Sequence, residues 1–497
     1  MFKRIISMLL VAVMLVSAAF LVACSGDEES STAQGDVSKS IDAGFLAGNK
    51  NWNGTTVTVL THNLSDYSTA AFAHEESEIA EPVAEAFLNR NRYIEEKYGI
   101  KIRATYVDKL DGMIERVRLE ANSQTGEFQA VKGGIMYMST LGVEGMLHDF
   151  NNIGNDYIHL DQAWWDQALI RDLTLSGKLW FLAGDAIVDD DEATWALYFN
   201  KGLVKTNNLE DPYQLVKDGN WTLDAMYEMA KKVHKMNGST MSYDPAVGDV
   251  WGIVAQSYDS YMFMAGAGQP LVDNSGEKPV FRIMNERNIS VFQKLHNILH
   301  DKENVGIADF FGRWDSGVYD QEATIFSNGN ALFMPGSISV VSSDKMKNAE
   351  IEYGILPMPK ADTTQEDYTT SETVYWCGVL SIPSFIKGEE LDATCFALEA
   401  MAYYGKEMVT PEYYERTLTY KRFKDDDSRD MLDLIFRNRT YDLGTVFDFS
   451  TGAAGSGSLY FYTTLLSDES GNIASLYEQK QQSFESALQN LIDECWN

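Results

Sequence analysis

The stretch that decides the fold begins with TTVTVL at residues 55–60, whose β-branched residues predict a strand. A helical pattern over Val83–Tyr98 comes next and ends at Gly99, a typical C-cap glycine. The elements predicted after it are, in order, a strand at 100–107, a helix at about 111–123 and a strand at 129–136. This alternation of strands and helices predicts a parallel α/β sheet.

Further elements follow along the chain. Residues 194–201, TWALYFNK, predict an extended apolar segment, and Thr222 predicts the N-cap of a helix with apolar positions at helical spacing. Residues 331–334, ALFM, predict a short buried strand. From about Ala393 onwards we expect mostly helix.

The N-terminus has the layout of a secretory signal. Lys3 and Arg4 precede an almost entirely apolar run over residues 5–23, and LVAC at residues 21–24 closes it. This ending resembles the lipobox of bacterial lipoproteins, which implies a signal peptide over residues 1–23 and acylation of Cys24. A retained transmembrane helix is the alternative. Residues 24–52 begin with a Ser- and acid-rich run and predict a flexible tether.

Composition excludes several classes of function. The 497 residues carry a formal net charge of −33, so an acidic surface would repel nucleic-acid backbones and anionic lipid. We therefore expect no nucleic-acid partner, and expect attachment to a membrane only through the lipid anchor. No second apolar run approaches the length that a bilayer requires.

Motifs for metals, cofactors and nucleophilic catalysis are not found in the sequence. Besides Cys24, the cysteines are Cys377, Cys395 and Cys495, whose spacing fits neither a metal site nor a redox pair. No Gly-x-Ser-x-Gly, His-Glu-x-x-His or P-loop motif is present. We expect no cofactor; a calcium ion at the acidic run of residues 189–192 is a minor alternative.

Six segments together resemble the extracellular sugar-type solute-binding proteins of ABC importers, the class that includes the maltose-binding proteins. They are GKLWFL at 177–182, LYFNKGL at 197–203, WTLD at 221–224, NALFMPG at 330–336, YGILPMPK at 353–360 and LSIP at 380–383. The chain departs from the family pattern at Phe199 and Gly202, and the last hundred residues carry no recognisable motif.

The resemblance implies an α/β, two-lobe periplasmic-binding-protein-like fold of type II, with discontinuous lobes joined by hinge strands. Lobe one would comprise residues 53–187 and 322–372, and lobe two residues 188–321 and 373–497. The implied function is the capture of a carbohydrate, first of all an oligosaccharide, between the lobes and its delivery to ABC transporter permease subunits. The expected oligomeric state is a monomer.

Candidate ligand-binding residues combine aromatic faces, which stack on the C–H faces of a sugar, with polar groups that bind its hydroxyls. They are His62, Asn63, Gly134, Tyr137, Asp191, Glu192, Tyr258, Asp259, Tyr261, Gly336 and Trp376. For each one, ordinary packing or a turn is the competing interpretation. Of the four acids at residues 189–192, we expect one to face the ligand and three to be solvated, because like charges raise one another's pKa.

Two other functions remain open at this point. A surface-anchored glycoside hydrolase needs two carboxylates across one bond, and the chain has acids in abundance. A binding protein for peptides or another polar solute is equally compatible with the scaffold, because a fold does not determine its ligand.

Overall fold

The computed structural model describes residues 44–62, 70–75, 82–109, 112–235, 248–311, 317–414, 423, 425–450 and 457–496. Residues from Ala47 onwards form one compact unit, and of the preceding unit, Met1–Leu46, only residues 44–46 are described. The predicted signal peptide, the acylated Cys24, the start of the tether and the candidate ligand residue Asn63 therefore lie outside the described residues.

The strands, in chain order, are β1 (Thr55–His62), β2 (Ile100–Val107), β3 (Ala130–Gly134), β4 (Trp195–Asn200), β5 (Trp251–Ala255), β6 (Val272–Asp273), β7 (Val280–Phe281), β8 (Val305–Ile307), β9 (Ala331–Ser337), β10 (Tyr353–Leu356), β11 (Thr370–Ser371), β12 (Gly378–Ser381) and β13 (Arg439–Thr440).

The α-helices, in chain order, are α1 (Pro82–Tyr98), α2 (Gly112–Ser123), α3 (Ile135–Val143), α4 (Gln167–Leu173), α5 (Asp189–Ala193), α6 (Lys201–Thr206), α7 (Pro212–Lys217), α8 (Leu223–Val233), α9 (Asp259–Gly266), α10 (Glu286–Leu299), α11 (Val318–Ser327), α12 (Asp344–Lys347), α13 (Gly388–Met408), α14 (Asp426–Arg437), α15 (Leu443–Val446), α16 (Phe461–Leu466) and α17 (Ile473–Trp496).

The first sheet has the strand order β12-β3-β1-β2. The strand β1 pairs in parallel with both β2 and β3, whereas β12 returns antiparallel to β3. The helix α1 connects β1 to β2 and ends where predicted, at Gly99, whose φ of +63° is a conformation that a residue with a Cβ rarely adopts. The parallel α/β arrangement predicted from residues 55–136 is thus confirmed.

The second sheet has the order β10-β4-β9-β5-β8. Its strands β5, β8 and β9 are parallel, while β4 runs antiparallel to both β9 and β10. All residues of β4, β5 and β9 are buried, as expected for strands covered on both faces. As predicted, the Thr222 side chain caps α8 by accepting a hydrogen bond from the amide of Ala225.

The two returning segments join the sheets in the opposite way to the predicted lobe boundaries. Residues 322–372 were expected in lobe one, but β9 and β10 belong to the second sheet together with β4. Residues 373–497 were expected in lobe two, but β12 extends the first sheet and α13 packs against α1, whereas α14 of the same segment packs against β10 of the second sheet. The strands β9 and β12 are completely buried, so their sequence pattern does not distinguish between two sheets that have the same chemistry.

No described helix has both the length and the apolar character needed to span a membrane. The cysteines of the described part of the chain, Cys377, Cys395 and Cys495, are free and buried. Burial raises the pKa of the Cys495 thiol to about 11, which keeps it protonated and unreactive at neutral pH.

Gly405 lies within α13 at a close contact with the backbone. A Cβ at this position would overlap with the carbonyl oxygen of Asp185, in the segment that leads from the first sheet towards the second. Because that oxygen belongs to the main chain, it cannot move aside as a flexible side chain could. The glycine therefore allows α13 to pack against the segment around Asp185, although it weakens the helix by roughly 1 kcal/mol relative to alanine.

We expect Gly405→Ala to lower the free energy of unfolding by about 1–3 kcal/mol, because the added methyl group over-packs the contact. Gly112→Ala is the matched control, since a Cβ there has no atom within 4 Å, and it should change stability by less than about 0.5 kcal/mol. Urea denaturation of both variants measures the difference. Equal stability of the two variants would contradict this account of the contact.

Candidate functional site

The acidic run at residues 189–192 forms the short helix α5 and is mostly buried. Asp189 forms an ion pair with the fully buried Lys132 of β3. Asp190 and Asp191 form ion pairs with Arg439. The side chains of Asp190 and Glu192 are buried. The expectation that three of these acids are solvated is wrong, because buried basic residues from distant parts of the chain compensate their charges.

Arg439 is the centre of this charge cluster. Its guanidinium nitrogens lie 2.8 Å from Asp166, 3.1 Å from Asp190 and 3.0 Å from Asp191. Burial alone would lower the pKa of Arg439, but the surrounding carboxylates hold it well above its usual value. Burial raises the pKa of Asp190 despite the nearby guanidinium. The cluster joins α5 and the N-cap of α4 to β13, near the crossover between the two sheets.

A cavity of about 260 Å³ lies at the carboxyl ends of the second sheet's parallel strands. Residues 256–258 of its wall follow β5, Asp309 follows β8, and Trp195 begins β4 opposite the end of β9. The lining residues in the described part of the chain are Trp195, Gln256, Ser257, Tyr258, Asp309, Thr373, Tyr375, Trp376, Tyr460 and Thr463. In open α/β sheets this strand edge is where ligands bind.

The crossover between the sheets, residues 373–376, forms another wall of the cavity. It is held against the first sheet, because the amide of Ile135 donates to the carbonyl of Cys377 at 2.9 Å. A Cβ on Gly134 would lie 2.5 Å from the carbonyl oxygen of Tyr375. Gly134, a predicted ligand contact, is therefore needed for the close approach of the crossover to β3, and it does not line the cavity.

Aromatic rings provide much of the cavity surface. Tyr258 packs edge-on against Trp195 at a ring separation of 5.7 Å and against Tyr375 at 5.8 Å. The hydroxyl of Tyr375 donates a hydrogen bond to that of Tyr460. Trp376 is 37% exposed, which is unusual for so large an apolar side chain. These rings offer the stacking surface that a solute with C–H faces requires.

Several polar atoms of the cavity wall are buried and make no well-aligned hydrogen bond within the described part of the chain. They are the hydroxyls of Tyr258, Thr373 and Thr463. Tyr258 and Thr373 are close enough for Thr373 to influence the pKa of the phenol, but the two hydroxyls do not form a well-aligned hydrogen bond. Each of these hydroxyls can donate a hydrogen bond to a polar solute in the cavity or accept one from it.

Beneath the cavity lie two interacting buried carboxyl groups, those of Asp259 and Glu322. The Trp195 indole donates to Asp259 at 2.9 Å, and Gln256 donates to Glu322 through its side-chain amide at 3.2 Å. Burial raises the pKa of Asp259 to about 7. Burial, and next the charge of Asp259, raise the pKa of Glu322 well above its usual value. Asp259 thus fixes Trp195, a wall of the cavity, from below.

Two predicted residues, Tyr258 and Trp376, line this cavity together. Asp259 and Tyr261 follow in the same helix but are fully buried. Tyr261 bonds to the hydroxyl of Ser371 at 2.9 Å. Asp259 and Tyr261 therefore pack below the cavity, where Asp259 holds the indole of Trp195, and neither side chain lines the cavity.

The other predicted residues lie outside the cavity lining. His62 ends β1 in a buried position, where burial and the nearby Lys132 lower its pKa to about 4, so the ring is neutral at pH 7. Tyr137 lies half-buried on α3. Gly336 lies in β9, where a Cβ would make only ordinary contacts of 3.6 Å with Tyr198 and Val340, so no close approach requires a glycine there.

Sequence reasoning missed most of the cavity wall. Trp195 was read only as part of a strand, and Asp309 follows a strand of just three residues. Tyr460 and Thr463 come from the C-terminal region, where no motif was recognised. The one usable signal was position, since Tyr375 adjoins Trp376 in the crossover segment. In the described part of the chain, no group of three or more His, Cys, Asp or Glu side chains is arranged to hold a metal ion.

The buried pair predicts a specific pH dependence of stability. A carboxyl group whose pKa is about 7 when folded and about 4 when unfolded binds its proton more tightly in the folded state. Stability relative to Asp259→Asn should therefore fall as the pH rises from about 4 to about 7 and then level off. Thermal unfolding across this range measures the slope of stability against pH. Glu322→Gln should also reduce this slope, because the pKa of Glu322 is itself raised in the folded protein. Parallel curves for wild type and both variants would refute the assignment.

The sequence model of the bacterial extracellular solute-binding proteins matches residues 73–381. No curated protein sequence matches the chain.

Solved structures of low sequence identity share the fold. One is the GacH receptor of Streptomyces glaucescens, with 14% identity, coverage of 87% of this chain and 99% of that one, and a TM-score of 0.53. The galacto-N-biose-/lacto-N-biose I-binding protein of Bifidobacterium longum has 13% identity, coverage of 89% and 98%, and a TM-score of 0.55. UgpB of Mycobacterium tuberculosis has 16% identity, coverage of 83% and 97%, and a TM-score of 0.55.

These neighbours share a type II periplasmic-binding-protein-like α/β fold, which confirms the predicted fold class. The match to the family's sequence model begins before α1 and ends at Ser381, the last residue of β12. It covers more than half of the chain. The chain belongs to the bacterial extracellular solute-binding protein family.

Proposed function

We propose that this protein is the lipid-anchored, extracellular substrate-binding component of an ABC importer. It captures a carbohydrate in the cavity lined by Trp195, Tyr258 and Trp376 and delivers it unchanged to permease subunits. Membership of the solute-binding family supports the general role. The cavity itself is the observation that carries the proposal, because it combines an aromatic surface with buried hydroxyls that can bind those of a sugar.

The neighbours with known ligands support a carbohydrate. The structure of the GacH receptor was determined with acarbose, and that of the Bifidobacterium longum protein, which belongs to an ABC transporter, with lacto-N-biose. UgpB was solved with glycerophosphocholine, so the same fold also accepts a different polar solute. At this level of identity the ligand has to be argued from the residues of the cavity.

The chemistry of the wall suits a sugar better than a peptide. A sugar ring has C–H faces that stack on Trp or Tyr and hydroxyls that both donate and accept. The hydroxyls of Tyr258, Thr373 and Thr463 can likewise do both. The volume of about 260 Å³ is just below the range of roughly 300–1,000 Å³ that is usual for small-molecule sites. An oligosaccharide would therefore place one end here and extend outward past Trp376.

Release and delivery need no covalent chemistry. A ligand that binds one arrangement of the hinge better than another shifts the protein towards that arrangement, and a permease can recognise the result. The crossover at residues 373–376 is both a wall of the cavity and a connection between the two sheets. Ligand contact with Trp376 would therefore act directly on the connection whose movement a transporter could sense.

A thermal-shift screen of oligosaccharides and peptides, followed by calorimetry, tests the ligand class. We expect an oligosaccharide to raise the melting temperature and to be recovered chemically intact. Trp376→Ala should weaken its binding about tenfold, because the loss of ring stacking and buried area costs over 1 kcal/mol. Trp496→Ala, at the end of α17 and away from the cavity, is the control and should bind normally. Stabilisation by peptides alone, or cleavage of the sugar, would refute the proposal.

The proposed anchor has its own test. Metabolic labelling with a radioactive fatty acid should label the wild-type protein and not Cys24→Ala, because the cysteine sulfur is the proposed attachment site. The variant should also leave the membrane fraction, since the acidic chain has no electrostatic attraction to anionic lipid. Cys495→Ala, which removes a buried free thiol, is the control and should remain labelled. Equal labelling of Cys24→Ala would exclude acylation at this residue.

A further inference from the structure

The charge of the cavity wall is one-sided. Among the lining residues that the structure describes, Asp309 is the carboxylic acid and none is Lys, Arg or His. An anionic solute would thus meet a carboxylate without a compensating cation in the wall. The net charge of −33 on the whole chain adds a negative field that concentrates cations near such a cleft.

Asp309 is placed to bind a donor from the solute. Its Oδ2 accepts a hydrogen bond from the backbone amide of Ser257 at 2.7 Å, which fixes the orientation of the carboxylate. No ion pair involves Asp309 within the described residues, and its side chain is exposed at the cavity. One carboxylate oxygen is therefore held while the other remains available for a charge-assisted hydrogen bond.

The buried pair below the cavity increases the need for positive charge. Asp309 contributes to raising the pKa of both Asp259 and Glu322, which means that the three carboxyl groups interact. A cation bound at Asp309 would reduce this repulsion. The hydroxyl of Thr373, a side chain that is 1% exposed, lies in the same wall and offers a hydrogen-bond acceptor.

The aromatic residues favour the same kind of group. The faces of Trp and Tyr rings attract ammonium groups within about 6 Å of the ring centre, and the attraction grows when water is excluded. Four of the lining rings, Trp195, Tyr258, Tyr375 and Tyr460, lie in contact with one another through hydrogen bonds or ring packing. An aromatic wall beside an oriented carboxylate is a common way of binding an organic cation.

We propose that the solute selected by this cavity is an amino sugar, and that Asp309 binds its ammonium group while the aromatic rings contact the sugar ring. This inference rests on the proposed carbohydrate-binding function and adds the charge of the ligand. A neutral sugar would offer the Asp309 carboxylate only hydroxyl donors, which bind it less strongly than a charged ammonium group does. A uronic acid or sugar phosphate would be repelled.

Calorimetry with three related monosaccharides tests the inference: glucosamine, glucose and N-acetylglucosamine. They differ only at C2, and the measurement is made below the pKa of the amine so that glucosamine is charged. We expect glucosamine to bind about tenfold more tightly than the other two, because a hydrogen bond between two charged groups is stronger than one from a neutral donor. High salt should reduce this preference.

Asp309→Asn should abolish the preference for glucosamine over glucose and N-acetylglucosamine. The asparagine Oδ1 can still accept the hydrogen bond from Ser257, so the loop keeps its support. Asp218→Asn, an exposed substitution at the end of α7, is the matched control and should retain the preference.

Equal binding of the three sugars, or a preference that survives Asp309→Asn, would overturn the amino-sugar inference while the carbohydrate function stands. Failure of all three to bind would also overturn it. In that case the separate oligosaccharide and peptide screen decides whether carbohydrate binding itself is wrong.

Discussion

The rest of the structure depends on the pairing of one buried guanidinium with three carboxylates. Arg439 contacts Asp166, Asp190 and Asp191, which come from two segments more than 240 residues before it in the chain. Removing these charges from water is costly, and only their mutual pairing makes the arrangement possible. A second pair, Lys132 with Asp189, links the same short helix to the first sheet. Together they fix α5 between the sheets, at the level of the crossover.

This constraint positions the candidate site. The crossover of residues 373–376 leaves β11, which pairs with the strand of Arg439, and enters β12 of the first sheet. The cavity wall at Thr373, Tyr375 and Trp376 is therefore attached at one end to the charge cluster and at the other to the first sheet. The opposite wall, from Trp195 to Tyr258, belongs to the second sheet. The residues that form this wall of the cavity are thus also the residues that connect the two sheets.

The sequence predicted local structure well and long-range pairing poorly. The parallel strands before residue 136 could be identified because hydrophobic periodicity and the C-cap Gly99 are local signals. The burial of Asp189 and Asp190 could not, since their partners Lys132 and Arg439 are distant in sequence and a run of acids normally indicates a solvated surface. The same limit applied to β9 and β12, whose apolar patterns fit either sheet.

The candidate site was predicted in outline because strand ends and the crossover are recognisable from the order of elements. Tyr258 and Trp376 lie in the cavity for that reason. Asp259 and Tyr261 were expected in it as well, but both lie in α9, whose residues are all buried. Packing against the rest of the protein sets the orientation of this helix, and the hydrophobic pattern of eight residues does not reveal it. Tyr460 and Thr463 were missed because they come from short, irregularly spaced elements near the end of the chain.

The chain order of these contacts has a consequence for biosynthesis. The first sheet lacks its edge strand until Ser381 has been made, and the guanidinium at position 439 is added later still. Until then, a growing polypeptide carries unpaired strand edges and uncompensated acids, a state that folds slowly and is easily kept extended. The first sheet and the charge cluster can therefore reach their final arrangement only after residue 439 has been synthesised.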